Sequence, residues 1–291
     1  MRKPDPRPYR SVLYIPGSKP RAIDKARALA ADALILDLED AVAPGEKAAA
    51  RATVAEELER GGFRGRGVMV RINALSTEWG EADLEALLPA APEAILLPKV
   101  DSASDITALF ARIEEAGAAT RIWAMMETPL SILNAAEIAA APRMMGMVMG
   151  TNDLAKDLGC TPGPDRAPLQ AALSMCLLAA RANRLVCVDG VYNAFTDTEG
   201  LARECAQGRA FGFDGKTVIH PAQVETANAV FSPGAQELDL ARRQIAAHAE
   251  AIAAGQGVAV LDGRIVENLH VAAARHLIAR AEAIDRSAPA S

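Results

Sequence analysis

The feature that most constrains the fold of this chain is a unit that recurs eight times. In each unit a short apolar run ends in polar or charged residues, and a stretch with helical character follows it. The runs lie at 11–16, 33–36, 67–70, 94–97, 121–126, 144–149, 185–188 and 217–219. Near-continuous apolar strands that alternate with helices are typical of a parallel sheet that helices cover on both sides.

Eight such units within about 220 residues predict a closed (β/α)8 barrel of the TIM type. The active sites of these barrels lie at the carboxyl ends of the strands, where this chain places Asp, Glu, Arg, Lys and Asn residues. We therefore predict a catalytic barrel over residues 1–225. Over 226–291 we predict a C-terminal helix–hairpin–helix extension, with the hairpin turning at Asp262 and Gly263. The extension either packs on its own barrel or covers the site of a neighbouring subunit.

Composition argues against several classes of protein. None of the apolar runs in the 291 residues reaches the roughly 20 residues of a membrane-spanning helix, so we expect no membrane partner. Residues 1–6 lack the apolar segment of a signal peptide, and we predict a cytoplasmic protein. A net charge of −6 and only 4% aromatic residues argue against a nucleic-acid partner. The four cysteines and four histidines form no zinc motif.

Two carboxylates that follow neighbouring strands are the candidates for a metal site. Glu127 ends the fifth unit's apolar run, and Asp153 follows the sixth run at the same end of the predicted barrel. Such a pair suits Mg²⁺, which takes one or two protein carboxylates and completes its shell with water and substrate oxygens. Alternatively, each carboxylate caps the helix that follows it, and the position of Asp153 fits that role well.

Charged side chains also follow the second, third and fourth runs. Arg71 can hold a substrate carboxylate, or it can pair with Glu39 or Asp40. Because side chains alternate along a strand, Asp37 and Glu39 are predicted to point one way and Asp40 the other. Lys99 supplies a positive charge near the site or serves as a Schiff-base amine.

Basic residues cluster at the start of the first helix. Lys19, Arg21 and Lys25 follow Gly17 and Ser18, and N–H groups at a helix start can bind phosphates together with such cations. The segment is not a P-loop, and cationic side chains exposed to solvent explain it equally well. From the residues alone, the sequence predicts a metal-assisted barrel enzyme that acts on an anionic substrate.

Six segments of the chain carry a family resemblance. They read SVLYIPGS at 11–18, LDLEDAV at 36–42, LPKV at 97–100, MET at 126–128, GTNDL at 150–154 and GFDGKTVIHP at 212–221. Together they resemble the citrate lyase β-subunit/malyl-CoA lyase family of the HpcH/HpaI aldolase superfamily, over about residues 10–280. The resemblance implies a (β/α)8 barrel that uses Mg²⁺ to cleave or hydrolyse 3-hydroxyacyl-CoA thioesters. It also implies a homotrimer or homohexamer.

The resemblance assigns roles to particular residues. The implied roles are metal binding by Glu127 and Asp153, substrate binding by Glu127 and Arg71, catalytic support by Arg71, Glu39 and Asp40, and contact with CoA by Tyr14, Arg21 and Lys25. In the family, an acidic residue of the tail, typically Asp followed by x-Pro, reaches the neighbouring subunit's site. Here Glu267 takes that place without the Pro. We therefore expect Glu267 to be catalytic, with its carboxylate one methylene further from the backbone.

These features predict a Mg²⁺-dependent CoA-ester lyase. Its substrate would be a 3-hydroxy-dicarboxylyl-CoA of the malyl, citramalyl or citryl type, cleaved by retro-Claisen chemistry into a 2-oxoacid and an acyl-CoA. The Glu267 departure and the tail around it favour an alternative, a (3S)-malyl-CoA thioesterase that gives malate and CoA. A third candidate is the β subunit of a multi-subunit citrate lyase, which acts on a carrier-bound thioester. An aldolase for free oxoacids and a non-catalytic binding protein are further alternatives.

Overall fold

The computed structural model describes residues 7–63 and 65–287. The chain divides into two compact units, which join in the sequence between Phe231 and Ser232. The first is the barrel, and the second is the C-terminal extension. Residues 1–6, on which the argument against a signal peptide rests, lie outside the described residues. The assignment of catalysis to residues 1–225, and of a covering role to residues 226–291, stays a prediction.

Eight parallel strands close into a barrel in chain order, with the last strand beside the first. They are β1 (Ser11–Pro16), β2 (Ala33–Asp37), β3 (Gly67–Arg71), β4 (Ala94–Leu97), β5 (Arg121–Met126), β6 (Met144–Met149), β7 (Val186–Asp189) and β8 (Gly215–Val218). In β2, Ala33 and Ile35 join the inner apolar cluster, whereas Leu34 and Leu36 join the outer one. Both faces of the strands are therefore buried, and the predicted (β/α)8 barrel is confirmed.

Helices connect the strands and pack against the outer face of the barrel. They are α1 (Pro20–Ala26), α2 (Lys47–Arg60), α3 (Gly80–Leu87), α4 (Ala103–Glu115), α5 (Pro129–Leu133), α6 (Ala135–Ala140), α7 (Thr151–Asp157), α8 (Gln170–Ala182), α9 (Thr198–Phe211) and α10 (Val224–Phe231). The residues Ser102 and Asp105 determine where α4 begins. The Ser102 backbone N–H donates to Asp105 Oδ2 at 2.9 Å, which satisfies a donor that the helix leaves unpaired.

The pairing of β5 with β6 contains a one-residue bulge. Ile122 lies opposite Met144, but Trp123 lies opposite Gly146, so Met145 has no partner in β5. A Cβ at Gly146 would lie 2.5 Å from atoms of the Trp123 ring, so only glycine leaves room for that ring. Beyond the bulge the register is regular as far as the carboxyl ends of the two strands.

The second unit consists of two helices and a hairpin. Its elements are α11 (Ala235–Ala253), β9 (Ala259–Leu261), β10 (Arg264–Val266) and α12 (Asn268–Ser287). The hairpin turns at Asp262 (φ 50°) and Gly263 (φ 72°), two left-handed residues that suit a tight two-residue turn. A small core of its own contains Ala251, Ala259, Val266 and Val271. The predicted helix–hairpin–helix extension is confirmed.

The four cysteines are free thiols. Cys160 is half-buried, and the other three are buried. Burial raises the pKa of the Cys176 thiol and of the Cys205 thiol to about 12, so both stay protonated at neutral pH. Over residues 7–63 and 65–287, no helix combines the length and the apolar character that crossing a membrane requires.

Candidate active site

A cavity of about 320 Å³ opens at the carboxyl ends of the barrel strands. The predicted site residues in its walls are Tyr14, Asp40, Arg71, Glu127 and Asp153. The apolar residues in its walls include Ala41, Met125, Met149, Val191 and Ile219. The cavity therefore combines acidic groups and a guanidinium with an apolar wall, an arrangement that suits a small acid with a carbon chain.

Glu127 and Asp153 lie together in this cavity and share one cation. Glu127 follows β5 and is 1% exposed, and Asp153 lies in the first turn of α7. The Lys99 ammonium Nζ is 2.7 Å from Asp153 Oδ1 and 3.4 Å from Glu127 Oε1. The Lys99 backbone N–H also donates to Glu127 Oε1, at 2.8 Å. The fold thus brings together the two carboxylates that the sequence singled out, and it adds Lys99 between them.

Neither carboxylate is the N-cap of the helix that follows it. Thr128 is the N-cap of α5, and Gly150 is the N-cap of α7. The capping alternative is therefore wrong for both residues. Gly150 has a different role, because a Cβ there would lie 2.4 Å from Glu127 Cβ and 2.7 Å from Glu127 Oε2. A glycine at this position leaves room for the Glu127 carboxylate.

The electrostatics of the pair favour a bound cation. Burial raises the pKa of Glu127, and the hydrogen bond and charge of Lys99 oppose that rise only in part. Burial alone would lower the pKa of Lys99, but the hydrogen bond to Asp153 and the charge of Glu127 outweigh it and raise that pKa. A positive charge thus compensates the two carboxylates, which would otherwise repel one another.

The donor set of this pair fits Mg²⁺. Carboxylate oxygens are the ligands that this hard ion prefers, and Lys99 Nζ, 2.7 Å from Asp153 Oδ1 and 3.4 Å from Glu127 Oε1, already places a positive charge beside both side chains. Among the described residues, no group of three or more His, Cys, Asp or Glu side chains could hold a metal. A metal ion at this pair would therefore take its remaining ligands from water and substrate, as Mg²⁺ commonly does.

Arg71 lies at the end of β3 and is held by three acidic residues. Its Nε and Nη2 donate to Asp37 Oδ1 and Oδ2 at 2.7 and 2.6 Å. Its Nη1 is 2.8 Å from Glu39 Oε2 and 3.3 Å from Asp40 Oδ2. Burial opposes the charge of Arg71, but the hydrogen bond to Asp37 raises its pKa well above the ordinary value. Both predicted partners, Glu39 and Asp40, lie within ion-pair distance of Arg71, and the bidentate pair with Asp37 was missed by the sequence reasoning.

The predicted alternation of Asp37, Glu39 and Asp40 is wrong beyond Asp37. The strand β2 ends at Asp37, and the chain then turns around that carboxylate. The backbone N–H groups of Glu39 and Ala41 donate to Asp37 Oδ1 at 2.9 Å and Oδ2 at 3.1 Å. Because the alternation of side chains holds only within a strand, this turn allows all three carboxylates to reach Arg71.

Glu39 and Tyr14 are both close to the Arg71 guanidinium. Burial raises the pKa of Glu39 to about 8, although the charge of Arg71 opposes the rise. The Arg71 guanidinium lies 5.0 Å from the centroid of the Tyr14 ring, and the Tyr14 hydroxyl donates to Met125 Sδ at 3.4 Å. Burial also raises the pKa of Tyr14. Burial thus favours the protonated form of both groups, and the bidentate Asp37 carboxylate is the main counter-charge of Arg71.

The predicted CoA contacts Arg21 and Lys25 lie outside the cavity wall. Both side chains are exposed on α1, one helical turn apart, so they share a face of that helix. Nearby, Ser18 Oγ is buried and has no hydrogen-bond partner in the described part of the chain. The fold thus keeps two cations beside one another after β1, whereas Tyr14 on that strand reaches the cavity itself.

A buried ion-pair network that joins β7, β8 and α9 to Arg166, in the connection before α8, was not anticipated. Lys216 Nζ is 2.6 Å from Glu204 Oε1 and 3.2 Å from Asp189 Oδ2, and Arg166 Nη1 is 2.8 Å from Asp189 Oδ1. The side chains of Lys216 and Asp189 are 0% exposed. Burial opposes ionisation of Asp189, but the charges of Lys216 and Arg166 outweigh it and lower its pKa. This network fixes the end of β7 beside the cavity.

Glu267 belongs to the second unit. It follows β10 and is exposed, and its backbone N–H donates to His270 Nδ1 at 3.0 Å. On the hairpin, the cross-strand neighbours Val260 and Ile265 are 69% and 61% exposed. The exposed Glu267 thus follows directly after a hairpin that carries the exposed apolar side chains of Val260 and Ile265.

Comparison with known proteins decides the family. Residues 10–221 match the sequence profile of HpcH/HpaI aldolase/citrate lyase proteins. The chain belongs to this family. It is 61% identical, over 95% of this chain and 96% of the relative, to the (3S)-malyl-CoA thioesterase of Cereibacter sphaeroides strain KD131. It is 36% identical to citrate lyase subunit beta of Escherichia coli strain K12, over 95% and 94% of the two chains.

Solved structures of the family support the same assignment. CitE from Mycobacterium tuberculosis, in complex with magnesium, acetoacetate and coenzyme A, has a TM-score of 0.78 and 33% sequence identity. That comparison covers 95% of this chain and 98% of the other. The citrate lyase beta subunit from M. tuberculosis complexed with oxaloacetate and magnesium has a TM-score of 0.68 and 35% identity, and covers 78% and 99%. The predicted family membership is confirmed, and its members include structures with magnesium bound.

Proposed function

We propose that this chain is a Mg²⁺-dependent (3S)-malyl-CoA thioesterase, which hydrolyses its substrate to malate and CoA. The observation that carries this proposal is 61% identity over nearly the whole chain to an enzyme of that name. The lyase activity that we predicted first, on malyl, citramalyl or citryl thioesters, becomes the second candidate. It is supported by the 36% identity to a citrate lyase beta subunit.

We propose Glu127 and Asp153 as the protein ligands of Mg²⁺. When bound, the ion polarises substrate oxygens and lowers the pKa of a hydroxyl group that it contacts. The chain contributes the placement of its ligands. Gly150 leaves room for the Glu127 carboxylate, and the Lys99 N–H fixes Glu127 Oε1. Removing both carboxylates by Glu127→Gln and Asp153→Asn should abolish Mg²⁺ binding in calorimetry while the fold persists.

Arg71 would bind the free carboxylate of the substrate. Asp37 grips one edge of the guanidinium, so that Nη1 remains directed toward Glu39 and Asp40. The Asp40 contact is the longest of the three, and its side chain is 69% exposed. A substrate carboxylate can therefore replace Asp40 at Nη1. Because burial favours the protonated form of Glu39, that side chain cancels less of the remaining positive charge than an ordinary carboxylate would.

We further propose that Glu267 acts in the site of a neighbouring subunit, in a homo-oligomer such as a trimer or hexamer. The exposed apolar side chains of Val260 and Ile265 next to it favour contact with another copy. There the Glu267 carboxylate would take a proton from water as the water oxygen attacks the thioester carbonyl. The C–S bond then breaks, and the CoA sulfur leaves as the thiolate. In the lyase alternative, the substrate's 3-hydroxyl would lose its proton and the adjacent C–C bond would break, and Glu267 in its protonated form would then give its proton to the enolate carbon of the acyl-CoA.

The CoA part of the substrate would lie toward Tyr14 and α1. The exposed cations Arg21 and Lys25 favour phosphate groups, and their charge would be screened by salt. Replacing both with Ala should raise KM for malyl-CoA several-fold at low ionic strength and change kcat little. If wild type and variant had the same KM at low salt, as well as at high salt, this role would be contradicted.

The predicted cytoplasmic location also stays a prediction, consistent with four free cysteines.

The deciding experiment follows all products from (3S)-malyl-CoA and Mg²⁺ in parallel. Free thiol and malate without glyoxylate would support the thioesterase. Glyoxylate and acetyl-CoA without early thiol would support the lyase instead. Glu267→Ala should then reduce turnover by at least about 100-fold in an intact oligomer, as loss of a general base does. Full turnover of this variant at unchanged oligomer size would overturn the catalytic role of Glu267.

A further inference from the structure

The side chain of Lys99 has contacts that the proposed reaction does not use. Its Nζ lies 2.7 Å from Asp153 Oδ1 and 3.4 Å from Glu127 Oε1, and its own backbone N–H binds that same Glu127 oxygen. A single residue thus binds both proposed metal ligands, through two different groups. The lysine side chain is 41% exposed, so its ammonium has a route to solvent beside the cavity.

The backbone of Lys99 is held in an unfavourable conformation. Its φ of 51° lies in the left-handed region, which residues with a long side chain seldom adopt. Pro98 precedes it and β4 ends at Leu97, so the chain makes this turn directly after the strand. The conformation directs the N–H of Lys99 at Glu127 while its ammonium reaches Asp153. Strain of this kind persists where the surroundings impose it, and it is common at functional sites.

We propose that Lys99 is a positioning residue whose ammonium competes with Mg²⁺ for Glu127 and Asp153. This inference rests on the proposed assignment of Mg²⁺ to these two carboxylates. A divalent ion would need the same oxygens at about 2.1 Å. An ammonium 2.7 Å from one of them would then face a double positive charge at short range. Binding of the metal therefore displaces the Lys99 ammonium toward solvent, while its backbone N–H keeps Glu127 in place.

The competition has a measurable consequence for metal affinity. With Lys99 present, each metal ion that binds must first break the ion pair with Asp153. Without the ammonium, the two carboxylates would have no side-chain cation between them, and Mg²⁺ would bind more tightly. Lys99→Met keeps the chain length and the backbone N–H but removes the charge. We expect this variant to bind Mg²⁺ at least tenfold more tightly than the wild type.

Calorimetry on the 291-residue, chelator-treated protein tests this expectation. The matched control is Lys156→Met, which removes an exposed charge from α7. Its effect should stay within about twofold because salt screens exposed charges. Equal or weaker Mg²⁺ binding by Lys99→Met would overturn the competition. A wild-type protein that binds no Mg²⁺ would overturn the metal assignment itself, and the inference with it.

A second measurement uses the wild type and does not depend on how the variant folds. Lysine acetylation by acetic anhydride is followed by mass spectrometry, with chelator and then with saturating Mg²⁺. We expect Mg²⁺ to increase the labelling rate of Lys99 several-fold, because the amine leaves its ion pairs, and to leave Lys156 unchanged. A Lys99 rate that is unchanged or reduced by Mg²⁺ would overturn the proposal.

Discussion

Replacing Glu39 with Gln tests the charge state of the group beside the proposed substrate-binding arginine. Burial raises the pKa of Glu39 from 4.5 to about 8, against the opposing charge of Arg71. Each pKa unit of difference between the folded and unfolded chain corresponds to about 1.4 kcal/mol. Ionising Glu39 in the folded protein should therefore cost up to about 5 kcal/mol relative to the unfolded chain.

The direction of the pH effect follows from this difference. The folded protein holds the Glu39 proton more tightly than the unfolded chain does. Its stability is undiminished at pH values below the unfolded pKa, declines as the pH rises through about 8, and levels off beyond that. The glutamine of the Glu39→Gln variant cannot ionise, so the variant escapes this decline. Between about pH 5 and pH 9, the unfolding free energy of the variant should rise relative to wild type by about 2–4 kcal/mol.

Denaturant unfolding in the presence of a chelator, followed by tryptophan fluorescence, measures both proteins across this range. Glu59→Gln on α2 is the matched control, because Glu59 is exposed and is not among the acidic residues that hold Arg71. Its stability should differ from wild type by the same amount at each pH. Parallel pH profiles for wild type and Glu39→Gln would refute a protonated Glu39 at neutral pH.

Two further changes probe the packing around the site. Gly150→Ala would place a Cβ 2.4 Å from Glu127 Cβ, so the Glu127 side chain must move. We expect calorimetry on the folded variant to find Mg²⁺ binding at least tenfold weaker than in the wild type. Unchanged affinity would contradict the role of Glu127 as a ligand. Lys216→Met leaves the buried Asp189 carboxylate and its neighbour Glu204 without that cation, which should cost about 3–5 kcal/mol of unfolding free energy. A loss below about 1 kcal/mol in denaturant unfolding would mean that the network is not needed for stability.

Hydropathy predicts most of the barrel because each strand is apolar on both faces. The bounds of β1, β4, β5 and β6 coincide with the predicted runs. The last two strands are displaced, with the observed β7 ending at Asp189 and β8 beginning at Gly215. The cause is that Asp189 and Lys216 are charged yet fully buried, since they neutralise one another. A local apolar pattern cannot anticipate a pair formed between residues so distant in sequence.

The sequence predicts that Glu127 and Asp153 lie together, but it does not predict the contacts of Arg71 or the position of Lys99. Glu127 and Asp153 follow adjacent strands, and parallel strands bring such residues to one rim. The bidentate pair of Asp37 with Arg71 depends on the turn that begins at the end of β2, where side chains no longer alternate between the two faces of a strand. The position of Lys99 depends on its left-handed backbone, which sequence periodicity does not reveal.

The unpaired Met145 makes β6 unequal in its tolerance of deletions. Loss of its three nucleotides would leave the reading frame intact and would remove a residue that has no partner in β5, so Met144 would still lie opposite Ile122 and Gly146 opposite Trp123. Loss of a residue between Gly146 and Met149 would instead either shift the end of the strand by one position, which exchanges its inner and outer faces, or bring Met145 opposite Trp123, where a Cβ would lie 2.5 Å from the ring. During evolution, deletions in this strand should therefore be tolerated at the bulge and purged beyond it.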